Sequence, residues 1–296
     1  MKWETGLAAL LLYLSLAGCT ASVRSITPST TGPGNPVIDE PGGLPAGYRL
    51  VWSDEFSADG LPDPTHWRYD TGGNLQGWFN NEKQYYSAGR LLNTRVENGV
   101  LILEAHSEKL DSARFPDWGG QAYSSGKIVT DGVKTFSYGF IEVRAKLPCQ
   151  VGSWPAIWTL SAAPYSKWPD DGEIDIMEHT GSRAGKIQQS THTKSYNHII
   201  NTSRSTRTDL ADACTNFHNY QLTWTRDSIK QGIDGRNHMI YRNDHSGNHA
   251  DWPFVQPQYL LLNLAVGGDY AGPQGIDDTS FPWQMQVDYV RIYQAP

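Results

Sequence analysis

From Tyr48 onward, apolar and polar positions alternate along the chain with a period of two. Ile141, Val143, Ala145 and Leu147 alternate with Glu142, Arg144 and Lys146, and Tyr220, Leu222 and Trp224 alternate with Gln221 and Thr223. Neighbouring side chains on a strand point to opposite faces, so each run predicts a strand with one buried and one polar face. Residues 100–104 and 259–266 are more continuously apolar and read as buried strands. Asn98-Gly99, Asp131-Gly132 and Asp234-Gly235 mark turns between such runs. No long amphipathic helix and no internal repeat interrupts the pattern. Many short strands with Gly-rich turns predict an all-β fold, a two-sheet sandwich.

The first residues follow a different pattern. Behind Met1-Lys2-Trp3-Glu4 lies an apolar run over residues 6–16, too short to span a bilayer but of signal-peptide length. It ends Leu16-Ala17-Gly18-Cys19, which resembles the bacterial lipoprotein cleavage box, in which the cysteine is lipidated. A plain secretory peptide with an incidental cysteine is the alternative. Residues 1–19 are therefore expected to direct export across the inner membrane, with Cys19 anchoring the protein at the cell envelope. Residues 20–47 alternate Pro and Gly with Ser and Thr and read as a linker, because such a stretch cannot bury enough apolar surface to offset its ordering entropy. Residues 48–296 are expected to be a single folded domain, long enough to bury a sizeable core.

Composition narrows the partners. A formal net charge of −7 leaves no electrostatic footprint for nucleic acid or an anionic membrane surface and suits a polyanion poorly. A neutral polysaccharide raises no such objection, and 11 Trp and 15 Tyr supply aromatic faces for both core and sugar. Of the three cysteines, Cys149 and Cys214 remain if Cys19 carries lipid. Outside the cytoplasm they are free to pair, and two buried thiols are equally compatible with the sequence.

The candidate chemistry is concentrated in Gly172-Glu173-Ile174-Asp175-Ile176-Met177-Glu178. Alternation puts Glu173 and Asp175 on one face and Ile174 and Ile176 on the other. Strict continuation would put Glu178 in the core, where an unpaired charge is very costly. One extra residue, a β-bulge at Ile176-Met177, returns Glu178 to the carboxylate face. Like charges held close raise at least one pKa. Glycoside hydrolysis uses that split, with one ionised and one protonated carboxyl group. A solvated edge strand carrying acids would give the same short pattern.

The flanking residues resolve this ambiguity. Gly152-Ser153-Trp154-Pro155-Ala156-Ile157-Trp158-Thr159-Leu160, then Trp168-Pro169 and the acidic run, resemble the active-site signature of family-16 glycoside hydrolases, in the bulged, laminarinase-like branch. Gly77-Trp78-Phe79-Asn80-Asn81-Glu82, residues 138–146, residues 192–198, residues 262–268 and residues 287–291 resemble the same family, in order, so that the likeness runs from about Leu50 to Gln294. Phe79 departs from it, standing where many relatives have Gly, and Gln189-Ser190 is unusual. The resemblance implies a concave jelly-roll sandwich. It also implies Glu173 as nucleophile, Glu178 as acid/base and Asp175 as assisting carboxylate in a retaining endo-hydrolase of β-1,3-glucan.

It further implies that Trp154 and Trp158 stack on sugars and that His192 lies beside the acids. Asn81 and Arg144 are candidate donors to sugar hydroxyls, and a surface ion pair is the equal alternative for Arg144 on the polar face of its strand. No cofactor is required by this chemistry. A structural calcium ion is implied at Glu55, the carbonyl of Gly99 and Asp288, since hard oxygen ligands suit it. The protein is expected to be monomeric. Competing readings are a hydrolase of mixed-linkage glucan or agarose, a non-catalytic glucan-binding module, and a structural surface lipoprotein. The last leaves the tryptophans and acids unexplained.

Overall fold

The alternating runs assemble into two sheets. In the computed structural model, which describes residues 40–296, one sheet has seven antiparallel strands. Their spatial order is Arg204–Asp209, Lys186–His192, Glu173–His179, Ser153–Ser161, Gln258–Val266, Lys127–Val129 and Arg68–Tyr69. The other sheet has eleven strands, centred on His218–Trp224, Gly139–Lys146, Trp283–Gln294 and Val100–Ser107. Among the described residues the only α-helix is the single turn Gly268–Ala271. This is the expected jelly-roll sandwich.

The two inner faces carry the apolar half of each alternation. Ile141, Val143 and Ala145 are fully buried, whereas Glu142, Arg144 and Lys146 keep partial exposure. Across the gap lie Ile157, Ile174, Ile187, Leu260, Leu262, Leu264 and Val266, all in one core with Trp224 and Trp283. Each such side chain contributes about 1.5–3 kcal/mol relative to exposure. Two predicted turns are two-residue hairpins with both residues left-handed: Asn98 and Gly99 at φ 54° and 78°, and Asp234 and Gly235 at 49° and 79°. That geometry favours Asn-Gly and Asp-Gly pairs.

Cys149 and Cys214 form a disulfide, with Cα atoms 5.8 Å apart, which the sequence had left open. Residues 1–39, including Cys19 and the predicted signal segment, lie outside the described residues. The end of the predicted linker does not. Glu40 and Pro41 pair with Asn237 and Arg236 at the sheet edge, Gly42 N donates to Gly235 O at 2.7 Å, and Lys230 Nζ lies 3.1 Å from Glu40 Oε1. Edge pairing draws on backbone groups, so a Pro/Gly-rich segment can join a sheet without burying apolar side chains.

Candidate active site

The strand Glu173–His179 lies in the middle of the seven-stranded sheet, and its register is broken where the alternation demanded it. Asp175 is opposite Ser190 and Glu178 is opposite Gln188, so Ile176 and Met177 together face the single residue Gln189. On the other side Met177 pairs with Ile157 and Asp175 with Trp158, again leaving Ile176 extra. Ile174, Ile176 and Met177 are all fully buried. The bulge therefore satisfies both faces, with apolar side chains in the core and Glu173, Asp175 and Glu178 lining one cleft.

A bulge interrupts the hydrogen-bond ladder, and buried carbonyls need partners. Two core glutamines supply them. Gln231 Nε2, from the opposite sheet, donates to Asp175 O at 2.7 Å and to Ser190 O at 3.1 Å. Gln189 Nε2 donates to Ile176 O at 3.0 Å and to Gly232 O at 3.3 Å. Both side chains are fully buried. The unusual Gln189 thus has a physical role, and Gln231 was not singled out from sequence.

Each acid has its own donors. Trp154 Nε1 donates to Glu178 Oε1 at 3.1 Å, and Gln188 Nε2 approaches Oε2 at 3.4 Å. Trp168 Nε1 donates to Glu173 Oε2. Ser190 Oγ donates to Asp175 Oδ2 at 2.6 Å, and His192 Nε2 lies 3.2 Å from the same oxygen. Ligand atoms of Glu173, Asp175 and His192 all fall within 4.8 Å of one another.

These surroundings separate the proton affinities. Burial, then the charge of Asp175, pushes Glu178 up to about 7. Burial followed by the charge of Asp175 also holds Glu173 well above the ordinary glutamate value, with a smaller contribution from Glu178. Asp175 moves the other way. Burial alone would raise it, but the bond and charge of His192, with donors from Glu173 and Ser190, keep it below the ordinary aspartate value. His192 is raised, because its bond to Asp175 and that charge outweigh burial. A close Asp175–His192 pair thus sits between two glutamates whose proton affinities are raised.

The cleft has a volume of about 520 Å³. Trp154 lines it and packs edge-on against Tyr270, with ring centroids 5.3 Å apart. Tyr270 Oη and Arg207 Nε both donate to Gln188 Oε1, at 2.8 and 3.0 Å, which turns the amide nitrogen toward Glu178. His192 lines the cleft beside His198, with centroids 5.2 Å apart. Trp158 is half-buried, donates to Asn263 Oδ1 at 2.7 Å, and does not line the cavity around the acids. Gln188 and Tyr270 escaped the sequence reading. Trp168 and Ser190 were named in it, but without a role at the site.

Two predicted binding residues lie elsewhere. Arg144 belongs to the eleven-stranded sheet, pairs with Asp288, and packs 5.0 Å from the Phe217 ring. It is a surface ion pair, away from the carboxylate cleft. Asn81 Nδ2 is spent on Asp269, at 2.9 and 3.0 Å from its two carboxylate oxygens, and the neighbouring Asn80 lines the cleft instead.

The calcium candidates come near one another along the Trp283–Gln294 strand, where Val290 faces Asp54 and Val287 faces Leu101. Their carboxylates are already engaged, however. Arg291 donates to Glu55 at 2.9 and 2.8 Å, and Arg144 pairs with Asp288. With both carboxylates held by arginines, these side chains do not fit a calcium site.

Comparison with known proteins agrees with this geometry. The family model "Glycosyl hydrolases family 16" matches residues 79–291. The chain is 44% identical to the "Beta-glucanase" of Rhodothermus marinus over 254 residues, covering 83% of this chain and 85% of that protein. Among solved structures, a "non-specific endo-beta-1,3(4)-glucanase from family GH16" superposes with a TM-score of 0.84 at 51% identity, covering 88% of this chain and 96% of that one. The laminarinase from Rhodothermus marinus superposes with a TM-score of 0.78 at 43% identity, covering 83% and 97%.

Proposed function

Because the chain belongs to glycosyl hydrolase family 16, we propose that it is a retaining endo-hydrolase of β-1,3-glucan. The observation that carries this reading is the bulge, which places Glu173, Asp175 and Glu178 on one cleft with separated proton affinities. Two relatives with laminarinase or endo-1,3(4)-glucanase activity in their names share the fold at high identity and support the substrate class.

The reaction is a double displacement. Glu178, protonated up to about pH 7, gives its proton to the glycosidic oxygen as the bond to the anomeric carbon breaks. Glu173 attacks that carbon and forms a glycosyl ester. To do so it must be ionised, so the proton between Glu173 and Asp175 has to settle on Asp175 as positive charge builds at the sugar. Asp175 then donates a hydrogen bond to the attacking carboxylate, and His192 and Ser190 hold it in place. In the second half, Glu178 takes a proton from water, the water oxygen attacks the anomeric carbon, and Glu173 is released. Trp154 both orients Glu178 and presents a ring to the sugar.

In the same reading the protein is exported and anchored through Cys19, a view that rests on the sequence of residues 1–19. Calcium takes no part in the reaction.

Proton NMR of the first product from laminarin tests the mechanism. The β-anomer is expected first, with a ladder of oligosaccharides and a rapid fall in viscosity. An initial α-anomer would refute retention, and glucose alone would refute endo cleavage. Rates on lichenan and agarose test the linkage. The structural relative described as acting on 1,3(4) linkages makes lichenan the second substrate. A faster rate on agarose than on laminarin would overturn the assignment.

A further inference from the structure

Next in sequence to Asn80, which lines the cleft, one aromatic side chain stands in solvent. Phe79 is 86% exposed, although its neighbours in sequence are fixed. On one side, Trp78 donates to Asn74 Oδ1 at 3.1 Å and packs 4.8 Å from Tyr86. On the other, Asn80 and Asn81 both adopt left-handed backbone, with φ 57° and 55°. Such residues are uncommon outside glycine and are conformationally costly. The turn is pinned across the wall by Asn81 on both oxygens of Asp269. Lys83 N donates to Val266 O at 2.9 Å, and Gly268 is so close that a Cβ there would lie 2.8 Å from Asn80 O. Asn80 and Asp269 both line the cleft. A strained, anchored turn therefore presents an apolar ring one residue beyond the cleft lining.

We infer that Phe79 is a sugar-stacking platform that extends the cleft and engages glucan units outside the cavity around the acids. The inference rests on the glucan-hydrolase reading above. An aromatic face matches the C–H face of a pyranose, and the platform is continuous with the cleft through Asn80. A turn whose backbone is already ordered gains more from such a contact than a mobile one, because little backbone entropy remains to be lost. The occupant is the same polysaccharide chain as it leaves the cleft, which makes Phe79 a determinant of chain-length preference.

The test compares kcat/KM on laminarin with kcat/KM on a p-nitrophenyl laminaribioside, which is too short to reach beyond the cavity. Phe79→Ala is expected to lower the polymer-to-short-substrate ratio roughly three- to tenfold, mainly through KM on the polymer. Phe79→Trp is expected to restore the ratio or raise it. A ratio unchanged by Phe79→Ala overturns the platform, as does wild-type self-association in sedimentation that Phe79→Ala abolishes at constant ratio, since a second copy would then cover the ring. If the wild-type protein cleaves no β-glucan, the underlying reading falls too. Cleavage with an unchanged ratio removes the platform alone.

Discussion

Glu178→Gln should make the protein more stable above neutral pH while removing its activity on laminarin. Glu178 has an ordinary value of 4.5 that its surroundings raise to about 7. A folded state that holds the proton more tightly than the unfolded chain loses stability as pH rises between those two values. The acid form is therefore stabilised below 4.5, and the penalty for ionising it in the cleft is complete above 7. At about 1.4 kcal/mol per tenfold in proton affinity, that penalty is roughly 3 kcal/mol. Partial exposure to the cleft makes this an upper figure. Gln keeps the shape and the neutral charge of the protonated acid, and so escapes the penalty. Urea unfolding of both proteins at pH 5 and pH 8 reads it directly. The variant minus wild-type difference should grow by about 2–3 kcal/mol in favour of the variant between the two. Wild-type kcat/KM should fall over the same range, above about pH 7. A stability difference independent of pH would show that Glu178 is an ordinary solvated carboxylate and would remove the basis for making it the proton donor.

Glu178→Ala should retain far more activity on a β-glucoside with an activated phenol leaving group than on laminarin, and azide should rescue it to a β-glycosyl azide. Glu173→Ala should lose both activities without rescue, and the reverse pattern would exchange the two roles. Gln231→Leu should lower kcat at least about tenfold with KM within about twofold, because two buried carbonyls at the bulge lose their donor at a cost of about 1–3 kcal/mol each. A folded Gln231→Leu protein with unchanged kcat would show that the bulge does not depend on this amide.

Much of this site was legible because the chemistry and the core compete for the same strand. Ile174 and Ile176 fix the apolar phase, and Glu178 violates it, so a bulge was the one arrangement that kept a charge out of the core. The alternation of residues 141–147 was equally clear, yet it left Arg144 open between sugar donor and surface ion pair, and the fold gives the ion pair. Alternation separates a polar face from an apolar one, but it is blind to which of two sheets a strand joins, and the outer polar faces of both sheets look alike in sequence. Gln189 and Gln231 illustrate the opposite case. Gln189 occupies the core phase between Ile187 and Thr191, a local inconsistency that only the carbonyls freed by the bulge explain. Gln231 supports the same bulge from the other sheet, a pairing that no local pattern carries. The acids themselves could be read from one strand because they must share a face. The groups that position the acids and tune their protonation come from six other segments, with Trp154, Trp168 and Gln188 to His192 touching them directly and Arg207, Gln231 and Tyr270 acting through Gln188 or the bulge backbone. Their roles follow from how the strands pack across the sandwich, so the proton affinities that make this cleft reactive are a property of the whole fold.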